Sequence, residues 1–550
     1  MAFDPFRFLR RVAGALDPRA GLAVVRTGAV SPLRATAAWL TTPWLIGRGV
    51  SLGIAVQINA LSSPARIALH DREGTLTWLQ LEQRSARLAR VMASQGIGPG
   101  DTVATLVRNG REAVESMVAA QKLGVAIAPL NTWGREPEIV ALLERLRPKV
   151  LIADPRHAEP IAAGIPKRTA LVQTGEAYEA LLRTEPPVPL FPVAVPRRHG
   201  RVVIHTSGTT GTPKAAARSP RSSGPAAIAG LLSAVPIRRD DVIVCPAPLF
   251  HSFGLLMLSL GMALGATFVL PDKFEPEGTL ELIREHDATV VALVPVMIRR
   301  ILDLPAAKRR DRPEGLRAVV VSGSAMSPEL RAETRELFGD VLYDVYGSTE
   351  GGWVAVATPE DIAADPRTAG HAVRGVEVVV FDDDGRRLGR GERGTLHVRS
   401  DVLFEGYQSG EGTDEREGFL SMGDIGRIDE EGRLFVEGRA DDMVVVGGEN
   451  VYPAEVESVI GKLEGVIDVA VVGIPDRQYG RVLAAFVEGT ASPAAVEEAC
   501  REGLASFKVP RVVKVVPGGL PRTSTGKILR RDLPALLEER DGSKGSRLPA

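Results

Sequence analysis

An α/β protein is predicted: a large N-terminal domain of parallel sheets flanked by helices, with an antiparallel subdomain, then a small mobile α+β C-terminal domain. Three observations predict it. The 550 residues exceed the roughly 250–300 at which one hydrophobic core stops growing, so at least two domains are expected. From about Pro64, short apolar runs alternate with amphipathic helical stretches, the signature of βαβ units and parallel sheets. After about Gly375 this rhythm gives way to hairpin signals, and after about Arg439 to a compact α+β pattern.

The elements follow in order. Thr77 and Gln80 form a capping box, because hydroxyl and amide can each satisfy the other's orphan backbone donor. Leu81, Leu88, Val91 and Met92 then share one helical face and Gly96 ends the helix. Residues 102–107 read as a strand, 112–123 as a helix and 125–129 as a strand. Further strands are read at 150–152, 202–204, 242–245, 289–294 and 318–321. Residues 376–381 and 394–399 flank the turn dipeptide Asp384-Gly385 and read as a hairpin; a second strand pair surrounds Glu431-Gly432. Then come a strand at 443–446, a helix begun by Pro453, and strands at 469–473 and 483–487. The domains are therefore taken as 1–438 and 439–550, with the boundary near Asp441. The tail from Glu538 is polar and expected to fray.

Composition narrows the function. The 67 basic and 68 acidic side chains leave a formal charge of −1, with 44% hydrophobic and 25% charged residues. That is an ordinary globular composition, and it argues against a general nucleic-acid binder, which needs a basic excess. The balance is nevertheless local polarity averaged away. Residues 405–457 are strongly acidic, whereas 503–531 carry basic residues and no acid, which suits an anionic ligand. The two cysteines, Cys245 and Cys500, allow no disulfide framework and no CxxC site, so a reducing cytoplasmic compartment is expected. No secretory signal or membrane-spanning run is read near the start. Phe3, Phe6, Phe8 and Leu9 beside Arg7, Arg10 and Arg11 suit either a cap on the main domain, which is preferred, or a peripheral membrane contact. The oligomeric state is left open, a homodimer being one option.

The strongest local motif runs from His205 to Lys214, directly after an apolar strand: Thr206, Ser207, Gly208, Thr209, Thr210, Gly211, Thr212, Pro213, Lys214. Hydroxyls, glycines and a lysine in one loop suit phosphate oxygens. It is not a Walker A loop, because Pro213 precedes the lysine. The bland alternative is a polar surface loop, which seldom concentrates this composition after an apolar strand. Two other motif matches carry less. Gly389, Gly391 and Gly394 fit GxGxxG but lie between hairpin strands with no helix following. Gly49, Ser51 and Gly53 fit the nucleophile elbow GxSxG, which would make Ser51 a hydrolase nucleophile.

With the 205–214 loop, five further motifs in order resemble the adenylate-forming superfamily, specifically its acyl-CoA synthetases of the fatty-acid–CoA ligase type. These are Tyr346-Gly-Ser-Thr349-Glu350, Gly423-Asp424, Gly438-Arg439-Ala-Asp441-Asp442, Gly447-Gly448-Glu-Asn-Val-Tyr-Pro453, and Pro521-Arg-Thr-Ser-Thr-Gly-Lys527. They cover about 200–530. The resemblance implies that ATP, Mg²⁺, coenzyme A and a small carboxylic acid are the ligands. It puts Thr349 on the α-phosphate, Glu350 and Thr206 at Mg²⁺, and Asp424 and Arg439 on the ribose. Tyr346 and Ser324 belong to the nucleotide pocket, with the Ser322–Ala325 segment at the adenine. Asp441 is the hinge, Gly448 lines the thiol tunnel, and Lys527 is the catalytic lysine. His251, in Phe250-His-Ser-Phe-Gly254, belongs to the acid side and the thiol gate. Where the family usually has glycine after the loop lysine, this chain has Ala215.

These residue types also suit the chemistry on their own terms. Joining a carboxylate to ATP brings two anions together, and a lysine on a Gly-flanked loop can bridge them. A carboxylate with waters is a usual Mg²⁺ site, and a carboxylate accepting both ribose hydroxyls is a usual sugar reader. Singly, Glu350, Asp424 and Lys527 would pass for solvated surface groups; the ordered set lifts them. Amino-acid-activating relatives carry an aspartate where His251 stands, so a plain acid is favoured. The apolar run 255–264 suggests a medium- or long-chain fatty acid, with aryl or sterol-derived acids as alternatives. A ligase delivering to a carrier protein, a non-catalytic homologue and the Ser51 hydrolase are the competing functions.

Overall fold

The structure, a computed structural model, describes residues 27, 51–134, 136–188, 200–206, 214–218, 225–309, 314–348, 351–400, 415–439, 444–446, 449–451, 453–476, 480–504, 506–523 and 526–538. Thr349, Glu350, Asp441 and Gly448, and the tip of the 205–214 loop with Ser207, Gly208, Thr209, Thr210 and Gly211, lie outside them, as does the N-terminal segment around Phe6.

The architecture is α/β, as the strand–helix alternation requires. One sheet carries Ala170–Gln173, Val150–Ala153, Thr102–Leu106, Ala126–Pro129, Val202–Thr206 and Lys214–Arg218 in that spatial order. All its neighbours are parallel except the last pair. A second, larger sheet holds a parallel block of Leu342–Ser348, Ala318–Val321, Val290–Leu293, Val242–Val244, Thr267–Val269 and Ile67–Asp71. Its inner strands are fully buried and read as continuous apolar runs, as expected of strands covered on both faces.

The antiparallel strands do not form a sheet of their own. Gly352–Ala357 pairs antiparallel with Leu342–Ser348 and passes the sheet on through Gly370–Ala372, Arg433–Arg439, Phe419–Ile428, Gly394–Ser400 and Val376–Phe381. The strand direction therefore changes within one continuous sheet already at Gly352–Ala357, ahead of the change of texture after Gly375. Gly394 opens a strand, and Gly389 donates to the Glu392 carboxylate at 2.6 Å, so the GxGxxG match is a turn.

The capping box is present: Thr77 N donates to the Gln80 amide oxygen at 2.8 Å and Gln80 N to the Thr77 hydroxyl at 3.2 Å, opening the helix Trp78–Ser94. The segment around Ser51 is corrected. Ser51 is the N-cap of the helix Leu52–Ser62, its hydroxyl accepting from Ile54 N at 3.3 Å. That bond gives the hydroxyl a structural role as a helix cap. Both cysteines are free and buried; burial pushes the Cys245 thiol up to about 12 and the Cys500 thiol to about 11.

Beyond residue 443 a three-stranded sheet of Val466–Asp476, Gly480–Gly489 and Val512–Val515 stands beside the hairpin Val444–Val446/Glu449–Val451. The buried apolar clusters on either side of 440–443 have no member in common. The two parts still touch. Arg393 bridges Glu437 at 2.6 Å and Glu455, at the start of the helix Pro453–Ile460, at 3.2 Å. Among the described helices none is long and apolar enough to cross a membrane.

Candidate active site

Of the sequence-predicted residues, the described structure brings Tyr346, Asp424 and Arg439 together in the larger sheet. Tyr346 lies in the strand Leu342–Ser348, and Asp424 and Arg439 face each other in register on the antiparallel pair Phe419–Ile428/Arg433–Arg439, beyond two intervening strands of the same sheet. The Tyr346 hydroxyl donates to Asp424 Oδ2 at 2.5 Å. Arg439 Nη1 lies 3.4 Å from Asp424 Oδ1 and donates to the Met422 carbonyl at 3.1 Å. Asp424 is 8% exposed. Burial and the Asp424 charge hold the Tyr346 phenol well above its usual range, so it remains a neutral donor. The result is a carboxylate fixed by protein donors at both oxygens.

The tip that carries Thr349 and Glu350 joins Leu342–Ser348 to Gly352–Ala357. Its base is tight: a Cβ on Gly347 would lie 2.0 Å from the Gly352 carbonyl oxygen, and Gly351 N donates to the Ser348 hydroxyl at 2.8 Å. Beside it, the Ser322 hydroxyl donates to the Val345 carbonyl at 2.7 Å, and Gly323 takes φ +100°, which glycine adopts freely. Ser324 is exposed in the same loop.

In the other sheet, Val202–Thr206 and Lys214–Arg218 pair antiparallel with Thr206 opposite Lys214. The phosphate-type loop therefore connects two paired strands. Ala215 pairs with His205 in this ladder.

Lys527 lies on a small hairpin. Its N–H donates to the Thr523 hydroxyl at 3.1 Å, and Thr523 N donates back to the Lys527 carbonyl at 2.7 Å. Arg522 braces the base, donating to Gly526 O at 3.1 Å, Asp468 at 2.7 Å and Glu488 at 2.8 Å. Gly526 (φ +80°) packs so closely on the helix Pro295–Leu302 that a Cβ would sit 2.3 Å from Val296 Cγ1. The exposed lysine thus follows a glycine seated on the helix that begins just after the strand Val290–Leu293.

His251 is the N-cap residue of the helix Ser252–Leu264, without a side-chain capping bond. Its ring stacks tilted on Phe250 at 4.5 Å, and Phe250 meets the half-exposed Trp133 edge-on at 5.2 Å. Its Nε2 is buried without a partner, and burial alone lowers its pKa to about 4. It is therefore neutral at pH 7. The helix behind it turns most of its apolar residues into the core, Met257, Leu258, Leu260, Met262 and Leu264 being buried. A narrower stripe of Leu255, Leu256, Ser259 and Ala263 is half-buried.

Two residues in this arrangement were not singled out by sequence. Arg522 was within reach, since it sits inside the lysine motif. Asn109 carried no signal: it bonds to the 245–249 segment across 136 to 140 residues. The residues expected at Mg²⁺ lie outside the described side chains, and among the described residues no cluster of three His, Cys, Asp or Glu could hold a metal.

A carboxylate fixed by Tyr346 and Arg439 and a lysine on a braced hairpin stand on an α/β fold with a small C-terminal unit, the plan of the adenylate-forming class. The chain belongs to the AMP-binding enzyme family: that family matches residues 56–408, and its C-terminal domain matches 455–527. Similar proteins include indoleacetate–CoA ligase of Aromatoleum aromaticum, 32% identical over 86% of this chain and 96% of that one. Another is the long-chain-fatty-acid–CoA ligase FadD13 of Mycobacterium tuberculosis, 31% identical over 83% and 92%. Among solved structures, ATP-bound MatB from Rhodopseudomonas palustris superposes with TM-score 0.80 at 27% identity, covering 89% of this chain and 99% of that one. Acyl- or aryl-CoA ligase activity through an adenylate is the activity these relationships support.

Proposed function

We propose that this chain is an ATP-dependent acyl-CoA synthetase acting on a medium- or long-chain fatty acid. In the first half-reaction a carboxylate oxygen attacks the α-phosphorus of ATP and pyrophosphate leaves. Asp424, oriented by Tyr346 and Arg439, accepts the ribose hydroxyls, and Lys527 bridges the approaching anions. Thr206, Ser207, Gly208, Thr209, Thr210, Gly211 and Lys214 hold phosphates, Ser324 flanks the base, and Thr349 contacts the α-phosphate. Mg²⁺ at Glu350 and Thr206 would neutralise the departing pyrophosphate. In the second half-reaction the small domain, residues 439–550, turns about Asp441, and the CoA thiol attacks the acyl carbonyl past Gly448 and His251, expelling AMP.

One observation carries the choice of a plain acid. His251 is lowered by burial alone, with no charged neighbour contributing, so among the described residues a substrate ammonium would find no anion there. The stripe of Leu255, Leu256, Ser259 and Ala263 supports an alkyl chain. A second reading, an aryl acid, is favoured by the ring series Trp133, Phe250 and His251, and one similar protein is named for indoleacetate. Pyrophosphate release across a panel of alkyl and aryl acids, with and without CoA, tests both. Alkyl acids giving the highest kcat/KM, with acyl-CoA as product, is the expected result. Preference for aryl acids selects the second reading. Release of pyrophosphate without any CoA-dependent thioester sinks the CoA assignment.

A further inference from the structure

Between the two sheets, one side chain satisfies three backbone groups of the segment that leads to His251. Asn109 stands in the turn after the strand Thr102–Leu106, just before the helix Arg111–Leu123. Its Nδ2 donates to the Cys245 carbonyl at 3.2 Å and the Ala247 carbonyl at 3.0 Å. Its Oδ1 accepts from Leu249 N at 2.9 Å. An amide is the only short neutral side chain with two donors and an acceptor so placed. From the other side the same segment is closed by Gly254, where a Cβ would lie 2.3 Å from the Pro248 oxygen. His251 N donates to Pro248 O at 3.1 Å. The turn from Cys245 to His251 is therefore held by the Asn109 amide on one side and by helix backbone on the other. Cys245 itself follows the strand Val242–Val244 of the larger sheet, so Asn109 also ties the first sheet to the second at this point.

We propose that Asn109 is a positioning residue for the acid end of the site: it fixes the segment from Cys245 to Leu249 and thereby holds the His251 ring against the substrate acyl group. The inference rests on the reading of His251 as an acid-side residue. It predicts that Asn109 acts on acid recognition and not on ATP, although it touches neither.

The test uses the full-length chain with decanoate and phenylacetate as probes. Asn109→Asp keeps the volume and the acceptor for Leu249 but removes the donor to the two carbonyls; Asn109→Ala removes all three bonds. Both should raise the KM for the acids about tenfold, the scale of one net hydrogen bond, while the KM for ATP changes less than about twofold. His251→Ala should raise the acid KM too, and the double variant Asn109→Asp/His251→Ala should be no worse than the worse single one. Thermal melting checks that each variant is folded; should Asn109→Ala not fold, Asn109→Asp decides alone. Equal rises in acid and ATP KM, or additive effects in the double variant, overturn the Asn109 proposal and leave the His251 reading standing. An unchanged acid KM in His251→Ala overturns both.

Discussion

The two ends of the site are built on opposite plans. At the end proposed for the nucleotide, Tyr346, Asp424, Arg439 and the Met422 carbonyl are hydrogen-bonded to one another. At the acid end, His251 keeps a buried nitrogen without a partner among rings and aliphatic side chains. The difference follows from what each end must read. The ribose is the same in every turnover, so a rigid carboxylate on paired strands serves, its geometry fixed in advance. The acid varies between relatives, and an apolar wall with one uncommitted polar atom can be retuned by exchanging a few side chains. A buried unpaired nitrogen is costly, and among the described residues named at the two ends His251 alone carries one.

Removing Lys527 should have the largest effect, because it serves neither end alone but the point where the two anions meet. Lys527→Ala is expected to slow adenylate formation about a hundred- to a thousandfold, the scale of losing one transition-state donor, while thioester formation from supplied acyl-adenylate is spared. Comparable loss in both half-reactions would contradict the division of labour between the faces of the small domain. Asp424→Asn comes next. It should lower kcat/KM for ATP about ten- to a hundredfold, as for a charged hydrogen-bond partner, and leave the acid KM within about twofold. Matching changes for both substrates would blur the contrast between the two ends.

How much of this was legible in the sequence depended on the range of the interactions. Local rules were readable: the Thr77–Gln80 capping box is written within four residues, and 318–321 announces itself as a buried strand by being apolar throughout. The continuity of the larger sheet was not, because it depends on Gly352–Ala357 turning back along Leu342–Ser348, which no local pattern encodes. The same limit applied to the site. Tyr346 and Asp424 were each recognised by motif, but their bond spans 78 residues and only the fold brings them together. Asn109, whose partners are more distant still, sits in no motif at all.

The acid end can be probed through protons. Burial lowers His251 to about 4 from an ordinary 6.5. Between those values the unfolded chain binds a proton that the folded chain refuses, so stability falls as pH drops from about 6.5 towards 4 and recovers as pH rises. At pH 5 the deficit from this group is about 2 kcal/mol. His251→Gln removes it, so the loss of stability between pH 7 and pH 5 should be smaller in the variant by that amount, the other titrating groups cancelling in the comparison. Parallel stability curves for the two proteins would show that the ring is not buried as described.

The smallest effect is expected far from both ends, at Ser51. A hydroxyl that caps the helix Leu52–Ser62 contributes about 1 kcal/mol of stability and takes no part in the reaction. Ser51→Ala should therefore melt slightly earlier and release pyrophosphate at the unaltered rate. The same variant bears on the competing hydrolase reading, since an elbow nucleophile converted to alanine would lose all ester cleavage. Wild-type chain that cleaves activated esters, with the activity abolished in Ser51→Ala, is the one result that would restore Ser51 as a catalytic group. The bond from Ile54 N to its hydroxyl is the reason to expect otherwise: it accounts for Ser51 as a helix cap.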